Sequence, residues 1–80
     1  MTARVYVSMK PSVLDAQGQA IHSALKSLGH KTIQDVRQGK FFDLQLAATD
    51  KAAAAAEIEQ ISHDILSNPV IEDYKVELMY

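Results

Sequence analysis

The fold is decided in the middle of the chain, by the stretch Ile33-Gln34-Asp35-Val36-Arg37-Gln38-Gly39-Lys40-Phe41-Phe42-Asp43-Leu44-Gln45-Leu46. Gly39 stands where a turn is expected, and Phe42, Leu44 and Leu46 alternate with the residues between them, as in a half-buried strand. The stretch therefore predicts a β-hairpin whose second strand turns these three side chains toward the helices.

The first strand of this hairpin is less regular than the second. Ile33 and Val36 are out of phase for strict alternation, so we expect a β-bulge near Asp35. The hairpin also places Asp35, Arg37 and Lys40 together at one exposed end. Turn chemistry and a local ion pair worth at most ~1 kcal/mol are a sufficient explanation for these charges on physical grounds.

Upstream of the hairpin, the chain predicts one strand and one helix. Residues 4–10 alternate as a strand that buries Val5, Val7 and Met9. A helix follows from Asp15, a suitable N-cap, and ends before Gly29, which can adopt the left-handed conformation of a helix C-terminus. Its apolar stripe consists of Ile21, Ala24, Leu25 and Leu28.

Downstream, the chain again predicts one helix and one strand. Thr49 or Asp50 is suited to cap the second helix, which Asn68 and Pro69 end because a proline disfavours helical geometry at the residue before it. The apolar stripe of this helix consists of Ala54, Ile58, Ile61 and Ile65. Residues 70–80 predict a last strand whose inward side chains are Tyr74, Val76, Leu78 and Tyr80.

The predicted elements come in the order β-α-β-β-α-β, which is the ferredoxin-like arrangement. The handedness of the two crossovers predicts an α+β two-layer sandwich, with a four-stranded antiparallel sheet and two helices on one face. We expect residues 1–80 to form a single domain. The other face of the sheet carries Tyr6, Phe41 and Met79, and we expect this face or an edge strand to mediate self-association.

The composition argues against several classes of function. The 80 residues carry a formal charge of −2 and no cluster of Lys and Arg, which argues against nucleic-acid binding. Because the chain has no cysteine, disulfides, thiolate nucleophiles and cysteine-based zinc sites are excluded. The N-terminus shows no signal-peptide pattern, and the apolar run at residues 52–56 is far too short to cross a bilayer. We therefore expect a cytoplasmic protein that does not bind a membrane.

No segment predicts an active site. The three histidines lack the spacing of a metal cage, no serine stands in a G-x-S-x-G context, and the three glycines form no phosphate-binding loop. We expect no catalytic, cofactor-binding or metal-binding residue in this chain. Besides the hairpin charges, the polar candidates are Lys10 before Pro11, and Glu72 and Asp73 at the start of the last strand. Turn formation and protection of a strand edge are sufficient explanations for these three.

Three segments resemble motifs of the PurS family. Residues 7–18, V-S-M-K-P-S-V-L-D-A-Q-G, are similar to the opening of PurS proteins, where a strand runs into K-P-G-V-L-D-P-Q-G. Residues 34–40, Q-D-V-R-Q-G-K, resemble that family's Q-D-V-R-x-G-K hairpin. Residues 66–74, L-S-N-P-V-I-E-D-Y, resemble its L-A-N-P-V-I-E-D-Y. The departures are Ser12 for glycine, Ala16 for proline and Ser67 for alanine.

The resemblance implies a function that the residues alone do not. PurS proteins are the small, non-catalytic subunits of the three-part phosphoribosylformylglycinamidine synthase of purine biosynthesis, a C–N bond-forming ligase. By resemblance, this chain bridges a glutaminase subunit and a large synthetase subunit, and it helps ammonia pass between them. The resemblance also implies a homodimer or tetramer, no cofactor in this chain, and the use of ATP, Mg and glutamine by the complex. The implied partner-binding residues are Lys10, Asp35, Arg37, Lys40, Asn68, Glu72 and Asp73.

Two other classes of function are compatible with the predicted fold. An ACT-type regulatory module has the same order of elements and would bind an amino acid or another small ligand at a dimer interface. Ligand-dependent thermal stabilisation of the isolated chain would identify it. A small enzyme on this fold is the other alternative, and the chain shows no convergent acid–base pair for it.

Overall fold

The sheet is built around its first strand. The computed structural model describes residues 1–47 and 50–79. β1 (Thr2–Met9) pairs antiparallel with β2 (Gly39–Gln45) on one side and with β3 (Glu72–Met79) on the other, so that Val5 lies opposite Phe42 and Val76. The elements, in chain order, are β1 (Thr2–Met9), α1 (Ala16–Ser27), β2 (Gly39–Gln45), α2 (Lys51–Ile61), a π-helical turn (Ser62–Leu66) and β3 (Glu72–Met79).

The core lies between the inward face of the sheet and α2. Ala3, Val5 and Val7 alternate along β1 and are buried, and Ala54 and Ile58 of α2 are buried as well. The predicted inward residues of β2 and β3 pack against this core, namely Phe42, Leu44, Leu46, Tyr74, Val76 and Leu78. The predicted faces of all three strands are confirmed for the residues that the structure describes, while Tyr80 lies outside them.

The predicted four-stranded sheet is wrong. Among residues 1–47 and 50–79 the sheet has three strands, in the order β2-β1-β3. The predicted first strand of the hairpin is absent because its polar groups are engaged elsewhere. The Ile33 carbonyl lies 2.9 Å from Nε2 of His22, and the Gln38 N–H donates to the Asp15 carboxylate at 2.6 Å. The hairpin and its bulge are therefore wrong as well, and Gly39 begins β2 instead of forming a turn.

A π-helical turn after α2 moves one predicted core residue to the surface. The Asp50 carboxylate caps α2 by accepting a backbone N–H of the first turn at 3.0 Å, while Thr49, the other predicted cap, lies outside the described residues. Ile65 was predicted on the buried stripe but is 75 % exposed. Because a π turn closes after five residues instead of four, Leu66 packs against the core in place of Ile65.

Helix α1 forms where the sequence predicts it but does not pack on the sheet. Asp15 is its N-cap, and Gly29 follows its end with a φ of +92°, as expected. Within the described ranges α1 makes almost no contact with the strands or with α2. Ile21 and Leu28, both predicted to face a core, are 43 % and 75 % exposed. The prediction of two helices on one face of the sheet is therefore wrong, since in the described part of the chain α2 and the π turn after it cover that face and α1 does not.

The outcome is an elongated molecule. Its Cα radius of gyration is 16.1 Å, with extents of 50 × 26 × 14 Å. A compact chain of this length would have a radius of gyration of about 12 Å. We call residues 15–38, which comprise α1 and the loop after it, the arm. The three strands, α2 and the π turn are the body.

Candidate functional site at the motif end of the sheet

One end of the sheet brings the three predicted motif segments together. The backbone N–H of Lys10, just past β1, donates to the carbonyl of Ile71, just before β3, at 2.9 Å. On the other side of β1, Ser8 pairs with Gly39 at the start of β2. The segments therefore meet around the end of the central strand, although they are far apart in the sequence. We call this region the motif end, and it comprises residues 8–15, 34–40 and 68–73.

Asn68 and Glu72 build the turn that leads into β3. The Asn68 carbonyl accepts the Glu72 N–H at 2.7 Å, and its side-chain oxygen accepts the Val70 N–H at 3.1 Å. Glu72 Oε1 accepts the Asn68 N–H at 2.8 Å, and its Oε2 lies 3.9 Å from Lys40 Nζ. Two of the predicted charges, Lys40 and Glu72, are thus paired with each other across the motif end. This pair links the turn before β3 to β2.

The guanidinium of Arg37 binds backbone carbonyls of its own chain. Its Nη2 lies 3.4 Å from the Met9 carbonyl, 3.0 Å from that of Lys10 and 3.1 Å from that of Val13. These contacts hold the turn that follows β1. The predicted partner-binding role of Arg37 stays a prediction, and the contacts of Arg37 in the single chain are internal.

Asp15 is a buried carboxylate with two backbone partners. Oδ1 accepts the Gly18 N–H at 3.0 Å, and Oδ2 accepts the Gln38 N–H at 2.6 Å. The Gln38 N–H, then the Gly18 N–H and the nearby Arg37 charge hold the pKa of Asp15 below its ordinary value. Sequence reasoning identified Asp15 as a helix cap but missed its link to Gln38. Asp15 and Gln38 both lie in the quoted motifs, but no helix or strand period relates residues so far apart.

The remaining predicted charges face outward. Asp73 lies opposite Ser8 on the exposed face of the sheet. Asp35 accepts the Val36 N–H at 2.9 Å, which leaves its other oxygen open. Within residues 1–47 and 50–79, the side chains of Lys10 and Asp73 make no hydrogen bond or ion pair. These two charges and the free oxygen of Asp35 are available to a partner.

Two concave regions flank the motif end. A cavity of about 400 Å³ lies between the base of α1 and the sheet, with the Lys40–Glu72 pair in its wall beside apolar side chains of Val7, Met9 and Leu14. A second cavity, of about 310 Å³, is lined by Ser8, Met9, Pro11, Asp35 and Arg37. Such a surface offers apolar recesses next to charged groups, which suits the side chains of a protein partner.

The exposed face of the sheet carries a second ordered cluster. Arg4 donates to both carboxylate oxygens of Asp43, at 2.8 and 3.1 Å, and its guanidinium lies 4.4 Å from the centre of the Phe41 ring. The hydrogen bond from Arg4 holds the pKa of Asp43 below its ordinary value. Phe41 and Tyr6, which were predicted on this face, are exposed there with ring centres 6.3 Å apart.

Across residues 1–47 and 50–79, no group of three His, Asp or Glu side chains is placed to hold a metal ion. No helix in these ranges combines the length and the apolar character needed to cross a membrane.

Comparisons with known proteins agree with the three motifs. The family model described as PurS, phosphoribosylformylglycinamidine (FGAM) synthase, matches residues 2–80. The PurS subunit of Synechocystis is 41 % identical over 75 residues, which cover 94 % of this chain and 75 % of that protein.

The fold is also that of solved PurS structures. Bacillus subtilis PurS in its C2 crystal form has a TM-score of 0.82 and 41 % identity, covering 95 % of this chain and 94 % of that one. A chain in the structure of PurLQS from Thermotoga maritima has a TM-score of 0.86 and 26 % identity, covering 95 % and 93 %. This chain therefore belongs to the PurS family of phosphoribosylformylglycinamidine synthase subunits, which act in purine biosynthesis.

Proposed function

We propose that this chain is a non-catalytic subunit that bridges a glutaminase subunit and a large ATP-dependent synthetase subunit, and that it assists the transfer of ammonia between them. In this proposal the complex acts as a cytoplasmic ligase that uses ATP, Mg and glutamine, and this chain supplies none of these cofactors. The observation that carries the proposal is the convergence of the three family motifs at one end of the sheet.

The motif end has the chemistry of a docking surface. Lys10 and Asp73 offer charges that have no partner among the described residues. Each is a chain neighbour of residues that line the two cavities, namely Met9 and Pro11 for Lys10, and Glu72 for Asp73. Charges of both signs, desolvated against complementary groups, give specificity and a defined orientation to a complex. A bridging subunit needs both, because ammonia must pass between two other subunits without loss to water.

Affinity purification of the tagged chain from its native lysate, with glutamine and Mg-ADP present, tests the proposal. Recovery of a glutaminase-like chain and a large ATP-binding synthetase chain, identified by mass spectrometry, is expected. Asp73→Lys and Lys10→Glu should reduce this recovery, whereas Glu57→Lys, an equal charge reversal on the exposed side of α2, should not. Failure to recover either subunit under several nucleotide and glutamine conditions would refute the bridging role.

We propose further that α1 is covered by a second copy of this chain, in a homodimer or tetramer. An isolated helix of 12 residues is marginal in water, so it needs a packed apolar face that the body does not provide. The exposed stripe consists of Ile21 on α1 and Leu28 at its C-terminal cap, and the only lysine of α1 is Lys26. Two such helices bring together a single lysine from each copy, so their apolar residues can meet in a symmetric, isologous contact.

Sedimentation velocity over a range of protein concentrations tests this assembly. The chain should sediment as a dimer or tetramer, and Ile21→Asp should shift it to the monomer. Val70→Asp places the same charge on an exposed apolar residue of the turn before β3, outside the arm, and should leave the assembly intact. A monodisperse monomer at high concentration, or equal effects of the two substitutions, would refute this role of α1.

A further inference from the structure

The arm is attached to the body through a small polar cluster at its base. Asp15 accepts the N–H groups of Gly18 and Gln38, so it ties the start of α1 to the end of the loop that returns to β2. Arg37 donates to three carbonyls of the turn after β1, which ties the same loop end to the body. The Gln38 side chain adds a hydrogen bond to Gln17 Oε1 at 2.6 Å. We call Asp15, Gly18, Arg37 and Gln38 the joint.

Steric contact makes the joint close-fitting as well as polar. A Cβ at Gly18 would lie 2.4 Å from the Val36 carbonyl oxygen and 2.5 Å from Asp15 Oδ2. Both distances are far below van der Waals contact, so only glycine fits at this position without a backbone shift. The first turn of α1 and the returning loop therefore touch backbone to backbone.

Beyond the joint, the arm has little other support from the body. Gly18 is the buried residue of α1, and the hydrogen bond from His22 to the Ile33 carbonyl lies within the arm. In the described ranges, α1 makes almost no contact with the strands or α2. The direction in which α1 leaves the body therefore depends on the polar contacts of the joint and not on core packing.

We propose that Arg37 and Asp15 are positioning residues for assembly: they fix the direction of α1 and so present its apolar stripe to a second copy, without contacting that copy themselves. This inference rests on the proposed assembly through α1. Asp15 is 4 % exposed and cannot reach a partner, so any effect of Asp15 on assembly must act through the arm. Fixing a binding element in advance lowers the entropy lost on association, which raises affinity without a new contact.

Two substitutions, each of which removes one of the two opposite charges of the joint, test whether its residues act together. Asp15→Ser keeps a residue that can cap α1, but its shorter side chain cannot accept the Gln38 N–H. Arg37→Met keeps the apolar part of the side chain and removes the guanidinium that donates to the three carbonyls. Both should weaken self-association by about tenfold, because each releases the arm at the same place. Lys31→Met removes a charge from the exposed loop of the arm outside the joint and serves as the control.

Distances between spin labels, taken together with hydrogen exchange of the β1 amides, distinguish a positioning role of the joint from a merely structural one. Because the chain has no cysteine, labels can be placed on Ser23→Cys in the arm and Lys75→Cys in the body. The labelled chain is diluted into excess unlabelled chain and measured at the lowest workable concentration. We expect one narrow distance distribution for the otherwise unchanged chain and for Lys31→Met. The distribution should broaden for Asp15→Ser and Arg37→Met, while hydrogen exchange of the β1 amides stays unchanged.

Three outcomes would overturn the inference. Unchanged distance distributions would show that the joint does not set the direction of α1. Loss of β1 protection together with the broadening would show that the joint only supports the fold. Weaker assembly for Arg37→Met but not for Asp15→Ser would assign Arg37 to direct partner contact. If the unchanged chain does not self-associate, the proposed assembly fails by itself, because the label distances are measured within one chain.

Discussion

Two isoleucines of one predicted stripe separate the effect of tertiary structure from that of sequence pattern. Ile58 and Ile65 both fall on the apolar stripe predicted for the second helix, but Ile58 is 0 % exposed and Ile65 is 75 % exposed. Substitution of either residue by alanine removes the same atoms. We expect Ile58→Ala to lower the free energy of unfolding severely and Ile65→Ala to leave it almost unchanged.

The magnitudes follow from burial. Ile58→Ala removes three buried carbons, which is ~2.4 kcal/mol of transfer free energy at ~0.8 kcal/mol per carbon, and the cavity raises the cost to ~3–4 kcal/mol. That is a large share of the ~4–12 kcal/mol expected for 80 residues. Ile65 already has most of its surface in water, so Ile65→Ala loses only about 0.6 kcal/mol of transfer free energy. The better helix propensity of alanine offsets about 0.4 kcal/mol of that cost.

Urea unfolding followed by circular dichroism measures both losses. The titrations are run at one protein concentration and repeated at a higher one, because self-association would add to the apparent stability. Leu66→Ala, at the position that replaces Ile65 on the inward side, should cost ~2 kcal/mol or more, since Leu66 packs against the core. Equal losses at Ile58 and Ile65 would refute the change of register that the π turn introduces.

Three further predictions follow from single contacts. The pKa of Asp15 is lowered by its backbone N–H donors, so its stabilisation is complete above the unfolded-state pKa of about 3.9 and is lost as the pH falls through the lower folded value. The difference in Tm between the unchanged chain and Asp15→Asn should therefore be constant from pH 7 to pH 5 in thermal melts and shrink below about pH 4; a constant difference at all pH values contradicts this. A hydrogen bond of 2.8 Å to Glu59 raises the pKa of Tyr74. The contribution of this hydrogen bond to the free energy of unfolding is therefore complete below the unfolded-state pKa of about 10, and it is lost as the pH rises through the higher folded-state value. Glu59→Gln should shift the ultraviolet titration of Tyr74 to lower pH, and an unchanged titration would rule out the contact. Ser67→Ala removes one of two hydrogen bonds to the Ser62 carbonyl and should cost ~0.5–1.5 kcal/mol in urea unfolding, whereas a loss above ~3 kcal/mol would contradict that assignment.

Features that depend on near neighbours in the chain were predicted correctly. The alternation of Val5 and Val7 identifies β1 and its buried face, since successive residues of a strand point to opposite sides. Asp15, Asp50 and Gly29 mark the helix ends because a cap is a contact between a residue and the adjacent turn.

For the candidate site, the quoted motifs named residues but not their contacts. Lys40 and Glu72 were predicted to bind partners, which stays a prediction, and their pairing with each other at 3.9 Å was not predicted. The contacts of Arg37 could not be predicted, because its three carbonyl partners are polar groups that every residue carries. The bond between Asp15 and Gln38 has no sequence signal for the same reason, since its donor is a backbone N–H.

Local sequence pattern was enough to place three strands and two helices and to assign the faces of the strands, and the three motifs indicated the family. Long-range contacts decided that residues 33–38 do not form a fourth strand and that α1 stands away from the sheet. A segment with strand-like alternation pairs with a neighbour only if its N–H and carbonyl groups are not satisfied elsewhere. In this chain the Ile33 carbonyl is bound by His22 of α1, and the Gln38 N–H is bound by Asp15 of the joint. Hydrogen bonds between residues so far apart in the chain cannot be predicted from the local sequence pattern.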